Sequence, residues 1–91
     1  MDKTRVAVIG IIIENTDSVE SLNAIIHDYR DVVLGRMGIP YKQRGINIVS
    51  IAVDAPVAVI NALSGKIGRL PGVTVKTAYA SMPEEQENTI H

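Results

Sequence analysis

The sequence predicts an α+β sandwich in the order β-α-β-β-α-β, with an antiparallel four-stranded sheet and two helices on one face. Three observations carry this. RVAVIGIII and INIVSIAV are β-branched runs with apolar residues at both alternating sets of positions. Two other segments repeat apolar residues at helical spacing, and glycine or proline clusters punctuate the chain between the elements. With 91 residues and 46% hydrophobic content, the chain suits one small domain with a modest core, so association with further copies is expected.

The first element, residues 5–13, reads as a strand that needs cover on both faces. Asp17, with Glu20 three residues later, is expected to cap a helix whose apolar stripe is Val19, Leu22, Ile25, Ile26 and Tyr29. DVVLGRMGI then resumes β-type residues but contains Gly35 and Gly38, which predicts an edge strand ending at Pro40, with Gly45 closing a hairpin. In the third strand Val49, Ile51 and Val53 share one face, and Ile46, Ile48 and Ala52 the other. Asp54 is the expected cap of a second helix, with Pro56 in its first turn, Val57, Ile60, Leu63 and Ile67 as its buried stripe, and Lys66 and Arg69 in its last turn. LPGV has Pro71 and Gly72 at the central positions of a type II turn, and VTVKTAYA is the fourth strand. The domain is expected over residues 1–82, and the polar, acidic residues 83–91 are expected to be a disordered tail.

This order fits a split β-α-β, ferredoxin-like arrangement with strand order 4-1-3-2. Strands one and three are then central and apolar on both faces, yet the helices cover only one. The remaining face is expected to be covered by a second copy of the chain.

Composition narrows the chemistry. There is no cysteine, which excludes disulfides, thiolate metal sites and cysteine nucleophiles, and makes a cytoplasmic setting the simplest reading. The apolar run near the start is too short for a membrane span or a signal peptide and passes straight into Glu14 and Asn15, so no membrane association is expected. Charge is uneven. Residues 32–83 hold one acid, Asp54, against Arg36, Lys42, Arg44, Lys66, Arg69 and Lys76, whereas residues 1–31 hold six acids against three bases. Such a basic middle raises nucleic-acid binding as an alternative function, although three tyrosines and no Phe or Trp leave little platform for base stacking.

Several activities known on this fold lack their residues here. The loop after the first strand, IENTDS, has neither the arginine nor the glycine of an acylphosphatase phosphate cradle. Paired cysteines for copper are missing, and the central strands carry Val, Ile and Ala where RNA-recognition domains carry aromatics. No nucleophile, general base and orienting group form a recognisable set, so the protein is expected not to be an enzyme, and no metal site is expected. His27 lies near Asn23 and Asp31 at helical spacing, but a single histidine favours a surface or hydrogen-bonded role over a metal or proton relay.

RVAVIGIII, the helix ending HDYRD, VVLGRMGIPYKQRGINIVSIAVD and LSGKIGRLPGVTVK together resemble the iron-only hydrogenase system regulators, a family of small ACT-like proteins. The similarity spans about residues 5–76, with GRMGIPY and GKIGRLPGV its most specific parts. The resemblance implies an ACT-like fold, homo-oligomeric assembly and a regulatory role linked to iron-only hydrogenase. A more distant similarity is to the metal-sensing half of nickel-responsive repressors. Those sensors bind metal through several histidines and a cysteine, whereas this chain has His27 alone in a folded element. Amino-acid-binding ACT domains commonly use a glycine in the loop after the first strand, and IENTDS has none.

The expected function is therefore a non-enzymatic, homo-oligomeric regulatory module acting through a small-molecule effector or a hydrogenase-system protein. Its candidate ligand-binding or interface residues are Gly35, Arg36, Met37, Gly38, Tyr41, Lys42 and Arg44. Glycine permits close backbone approach, and the three cations could hold an anion. The competing reading is a bent edge strand and a hairpin, with no ligand at all.

Overall fold

A computed structural model describes residues 3–81. The elements are β1 (Arg5–Ile13), α1 (Val19–Asp28), β2 (Val33–Tyr41), β3 (Ile46–Ala55), α2 (Val57–Gly68) and β4 (Val73–Tyr79). The strands form one antiparallel sheet in the order β2-β3-β1-β4, which is the expected 4-1-3-2 order read from the other edge. The acidic tail lies outside the described residues.

The period-2 alternation of the two central strands decides the core. Ala7, Ile9, Ile11 and Ile13 of β1 and Val49, Ile51, Val53 and Ala55 of β3 point to the helices and are buried. Leu22 and Ile26 of α1 and Ile60, Leu63 and Ile67 of α2 close over them. On β4, Val73, Val75, Thr77 and Tyr79 face the same way and are partly buried, while Thr74, Lys76 and Ala78 are exposed.

Four local expectations are corrected. Asp17 does not cap α1: the Asn15 side chain accepts a hydrogen bond from the Asp17 backbone N–H at 2.9 Å, and a 3-10 turn (Thr16–Ser18) leads into the helix. Asn15 is extended (φ −114°), as a capping residue must be, and Asp17 is already inside the turn. Asp54 does not cap α2, because β3 continues through it, paired with Val6, and Pro56 holds the position before the helix. That shift leaves Val57 in the first turn, 39% exposed rather than in the buried stripe. Lastly, β2 does not stop at Pro40 but runs through it to Tyr41, which an edge strand tolerates because the missing N–H can face away from the sheet.

Two glycines adopt positive φ. Gly45 (66°) closes the β2–β3 connection after a 3-10 turn, Lys42–Arg44, and Gly72 (68°) follows Pro71 in the turn before β4. The second turn docks on the loop after β1. Glu14 N–H donates to the Gly72 carbonyl at 2.7 Å, and the buried Ser18 hydroxyl donates to the Pro71 carbonyl at 2.6 Å.

Candidate functional site

The stretch from Gly35 to Arg44 is divided by the sheet. A β-bulge sets Val33 opposite Val53 and Gly35 opposite Ala52, so two residues of β2 advance for one of β3 and Leu34 is the extra residue. Downstream of the bulge Gly35, Met37, Ile39 and Tyr41 share the helix-free face, and Arg36, Gly38 and Pro40 point to the helix side. Lys42 and Arg44 sit in the connecting turn, about 20 Å along the chain from Arg36 at roughly 3.3 Å per strand residue. The expected contact region thus becomes two surfaces and a turn.

On the helix side, Arg36 reaches towards α1 and its guanidinium donates to the Asn23 side-chain oxygen at 3.1 Å. This bridge separates two hollows between α1 and β2. One, of about 360 Å³, is lined by Asn23, Ile26, His27, Arg30, Val33 and Arg36. The other, of about 220 Å³, is bounded mainly by apolar side chains of β1, α1 and β3 and by Gly38 to Pro40. Gly38 contributes to the second by omission: a Cβ built there meets no atom within 4 Å. Arg30 donates to the His27 carbonyl at 3.0 Å, which holds its side chain back along the end of α1.

Asn23 and Arg30 are not among the site residues the sequence predicts, and it predicts a surface or hydrogen-bonded role for His27. The four-residue spacing of Asn23 and His27 is the signal that joins those two, because such positions share one face of a helix, whereas Arg30 lies past the end of α1 in a 3-10 turn, Arg30–Val32. What the spacing cannot reveal is that this face meets Arg36 from β2.

The helix-free face is apolar and open. Val6, Val8, Ile12, Met37, Ile39 and Tyr41 are each between 41% and 54% exposed. The register arranges them in rows across the sheet. Thr74, Ile12, Ile48 and Ile39 form a raised row; Lys76, Gly10, Ser50 and Met37 form the next, and Ala78, Val8, Ala52 and Gly35 the third. Small residues hollow the two lower rows, with a depression of about 270 Å³ beside Gly10 and another of about 280 Å³ at Gly35.

The six cations of the basic middle do not converge on one surface. Arg36 is on the helix side and Lys76 on the open face, while Lys42 and Arg44 are in the turn. Lys66 lies 5.0 Å above the Tyr29 ring, and Arg69 folds back to donate to the Gly65 carbonyl. Among the described residues no group of three metal-ligating side chains gathers, and no helix is long and apolar enough to cross a membrane.

The sheet order, the two helices on one face and the apolar opposite face define a ferredoxin-like domain of the ACT-like type. Residues 5–77 match the model of the TM1266-like family, described as proposed regulators of the iron-only hydrogenase system, and the chain belongs to that family. Among solved structures it is similar to the uncharacterized protein TM1266 from Thermotoga maritima, with a TM-score of 0.83 and 26% identity over 87% of this chain and 100% of that one. Two more distant structures share the fold alone. A formyltetrahydrofolate deformylase from Pseudomonas putida matches with a TM-score of 0.60 and 10% identity, over 84% of this chain but only 29% of the enzyme. A protein of unknown function from Galdieria sulphuraria matches with a TM-score of 0.60 and 15% identity, over 88% of this chain and 47% of that one. No curated protein matches the chain.

Proposed function

We propose that the protein is a non-enzymatic regulatory module of an iron-only hydrogenase system, that it works as an assembly of identical copies joined through the helix-free sheet face, and that it acts through a small ligand or a protein partner. The regulatory part of this reading comes from the family; the assembly is carried by one observation, the exposed apolar face of β1, β2 and β3. An uncovered sheet face of this kind is costly in water, and sheets stack face to face at about 10 Å.

The relief of the face favours a second copy as its cover. A raised row of isoleucines lies beside rows hollowed at Gly10 and Gly35, so a twofold axis near the middle of the sheet lays the ridge of each copy over the hollows of the other.

Sedimentation equilibrium of the full chain tests this. The expected result is a multiple of the 9.8 kDa chain at micromolar concentration, reduced to monomer by Ile12→Asp with the far-UV circular dichroism retained. Met37→Lys, at a more exposed edge position, repeats the test should Ile12→Asp not fold. A wild-type monomer at micromolar concentration overturns the assembly, and an oligomer that survives both substitutions overturns the assignment of this face.

A further inference from the structure

The cleft between α1 and β2 is built from residues that the sheet-face assembly does not use. Its floor is apolar, formed by the buried Ile26 and the half-buried Val33. Its rim is polar and cationic, with Asn23, His27 and Arg30 from one side of α1 and its end, and Arg36 from β2. A guanidinium has five N–H donors in a rigid fork, and among the described residues each of these two makes one hydrogen bond: Arg30 to the His27 carbonyl, Arg36 to the Asn23 side chain. Among the described residues no carboxylate pairs with either. Asp28 and Asp31 are neighbours in sequence but do not line the cleft. Two arginines from different elements therefore line a single hollow with an apolar base and keep donors that no described residue takes up.

We propose that this cleft binds a small organic anion, one oxyanion group held by Arg30 and Arg36 and a short apolar body resting on Ile26 and Val33. The volume of about 360 Å³ is at the lower end of the roughly 300–1,000 Å³ common for ligand pockets, which is room for a small metabolite-sized molecule. Carboxylate and phosphate share the chemistry that an arginine fork recognises. The Arg36–Asn23 hydrogen bond is the partition between this cleft and the neighbouring apolar hollow at Gly38, so an anion that draws Arg36 away from Asn23 opens one space into the other. That movement gives a longer apolar body somewhere to go. The site supplies the small ligand of the regulatory reading and rests on it. The sheet face lies on the opposite side of β2, which keeps the two experimentally separable.

The test is a two-dimensional amide NMR titration of the full chain with three probes: inorganic phosphate, acetate and hexanoate, each against sodium chloride at matched ionic strength. Saturable shifts are expected around Asn23, His27, Arg30, Val33 and Arg36 with phosphate, with the carboxylates, or with both, at millimolar affinity or tighter. The arm that saturates identifies the head group. Hexanoate is expected to bind at least about tenfold more tightly than acetate, since even part of its chain buried on Ile26 and Val33 yields that factor. Arg36→Gln is expected to weaken binding about tenfold or more, as loss of a charge-assisted partner does, and to leave the oligomeric mass unchanged. Gly38→Val, placed where no atom lies within 4 Å of the new Cβ, fills the second hollow and is expected to weaken hexanoate while sparing acetate or phosphate. Shifts that never saturate, shifts equally strong at Lys42 and Arg44, or binding unaltered in Arg36→Gln overturn the proposal. Equal affinity for acetate and hexanoate overturns the apolar subsite. A wild-type monomer that still binds hexanoate in the cleft refutes the assembly alone, and an oligomer that binds none of the probes refutes the anion site alone.

Discussion

Gly45 and Gly72 allow the cost of a left-handed backbone to be separated from the cost of a steric clash. Their φ values are nearly the same, 66° and 68°, and both end a turn that leads into a strand. Their surroundings differ. A Cβ at Gly45 meets nothing within 4 Å, whereas at Gly72 it would lie 2.6 Å from the Cβ of Asn15 and 2.9 Å from its backbone nitrogen, well inside ordinary contact distance. Alanine at either site carries about 1–2 kcal/mol of left-handed strain, offset by about 0.4–1 kcal/mol from the stiffer unfolded chain, for a net loss of roughly 1 kcal/mol. At Gly72 a further ~1–3 kcal/mol is expected, because backbone has to move by nearly an ångström to relieve the overlap. The same movement strains the 2.7 Å hydrogen bond from Glu14 to the Gly72 carbonyl, so Gly72→Ala is expected to lose about 2–4 kcal/mol in all. Urea unfolding followed by circular dichroism, with both variants at one protein concentration so that assembly contributes equally, reads the difference. Coincident midpoints for the two variants refute the argument that the Gly72 turn is locked against the loop after β1.

Two further substitutions probe the same framework. Ser18→Ala leaves the Pro71 carbonyl without the 2.6 Å hydrogen bond that ties the two loops, and at this buried position a loss of about 1–3 kcal/mol is expected in the same urea assay. Leu63→Ala, in the fully buried stripe of α2, is expected to cost about 2–5 kcal/mol and to lower the thermal midpoint by several degrees or more, as a cavity in a small core does.

In β1 and β3 side-chain type does not say which set enters the core, since Val8, Ile12 and Ile48 outside it are of the same kind as Ile9, Ile11, Val49 and Ile51 within it, but strands one, three and four were legible as strands from the type and period of their residues. The helical stripes were legible for the same reason, except at their starts. Asn15, Thr16, Asp17 and Ser18 are all competent caps, and which of them takes the role depends on where the 3-10 turn begins, a choice made by the docking of Ser18 on Pro71 and not by local propensity. At the second helix the misplaced cap has a different origin. Asp54 has the right chemistry for a cap, but β1 is long enough to pair with β3 out to Ala55, so tertiary pairing extends the strand past it.

The candidate site was the least legible region, and the reason is the bulge. Strict alternation from Val33 onward would keep Gly35 and Met37 on the side of Val33, towards the helices, and send Arg36 and Gly38 to the open face. Inserting Leu34 as an extra residue reverses this, and no residue type in the stretch announces the reversal. Once the parity is reversed, the two glycines of GRMGIP acquire separate meanings. Neither has positive φ, so backbone conformation does not demand glycine at either place. What they have in common is the absence of any atom near a would-be Cβ, and they sit on opposite faces of one edge strand. Gly35 hollows the face proposed for a second copy, and Gly38 hollows the space beneath α1, with Arg36 between them. A strand that only needed to bend would have no use for a gap on each side. A strand that presents one surface to a partner and another to a ligand does, and filling the gaps one at a time, Gly35→Val against Gly38→Val, separates the two: the first is directed at assembly and the second at the cleft.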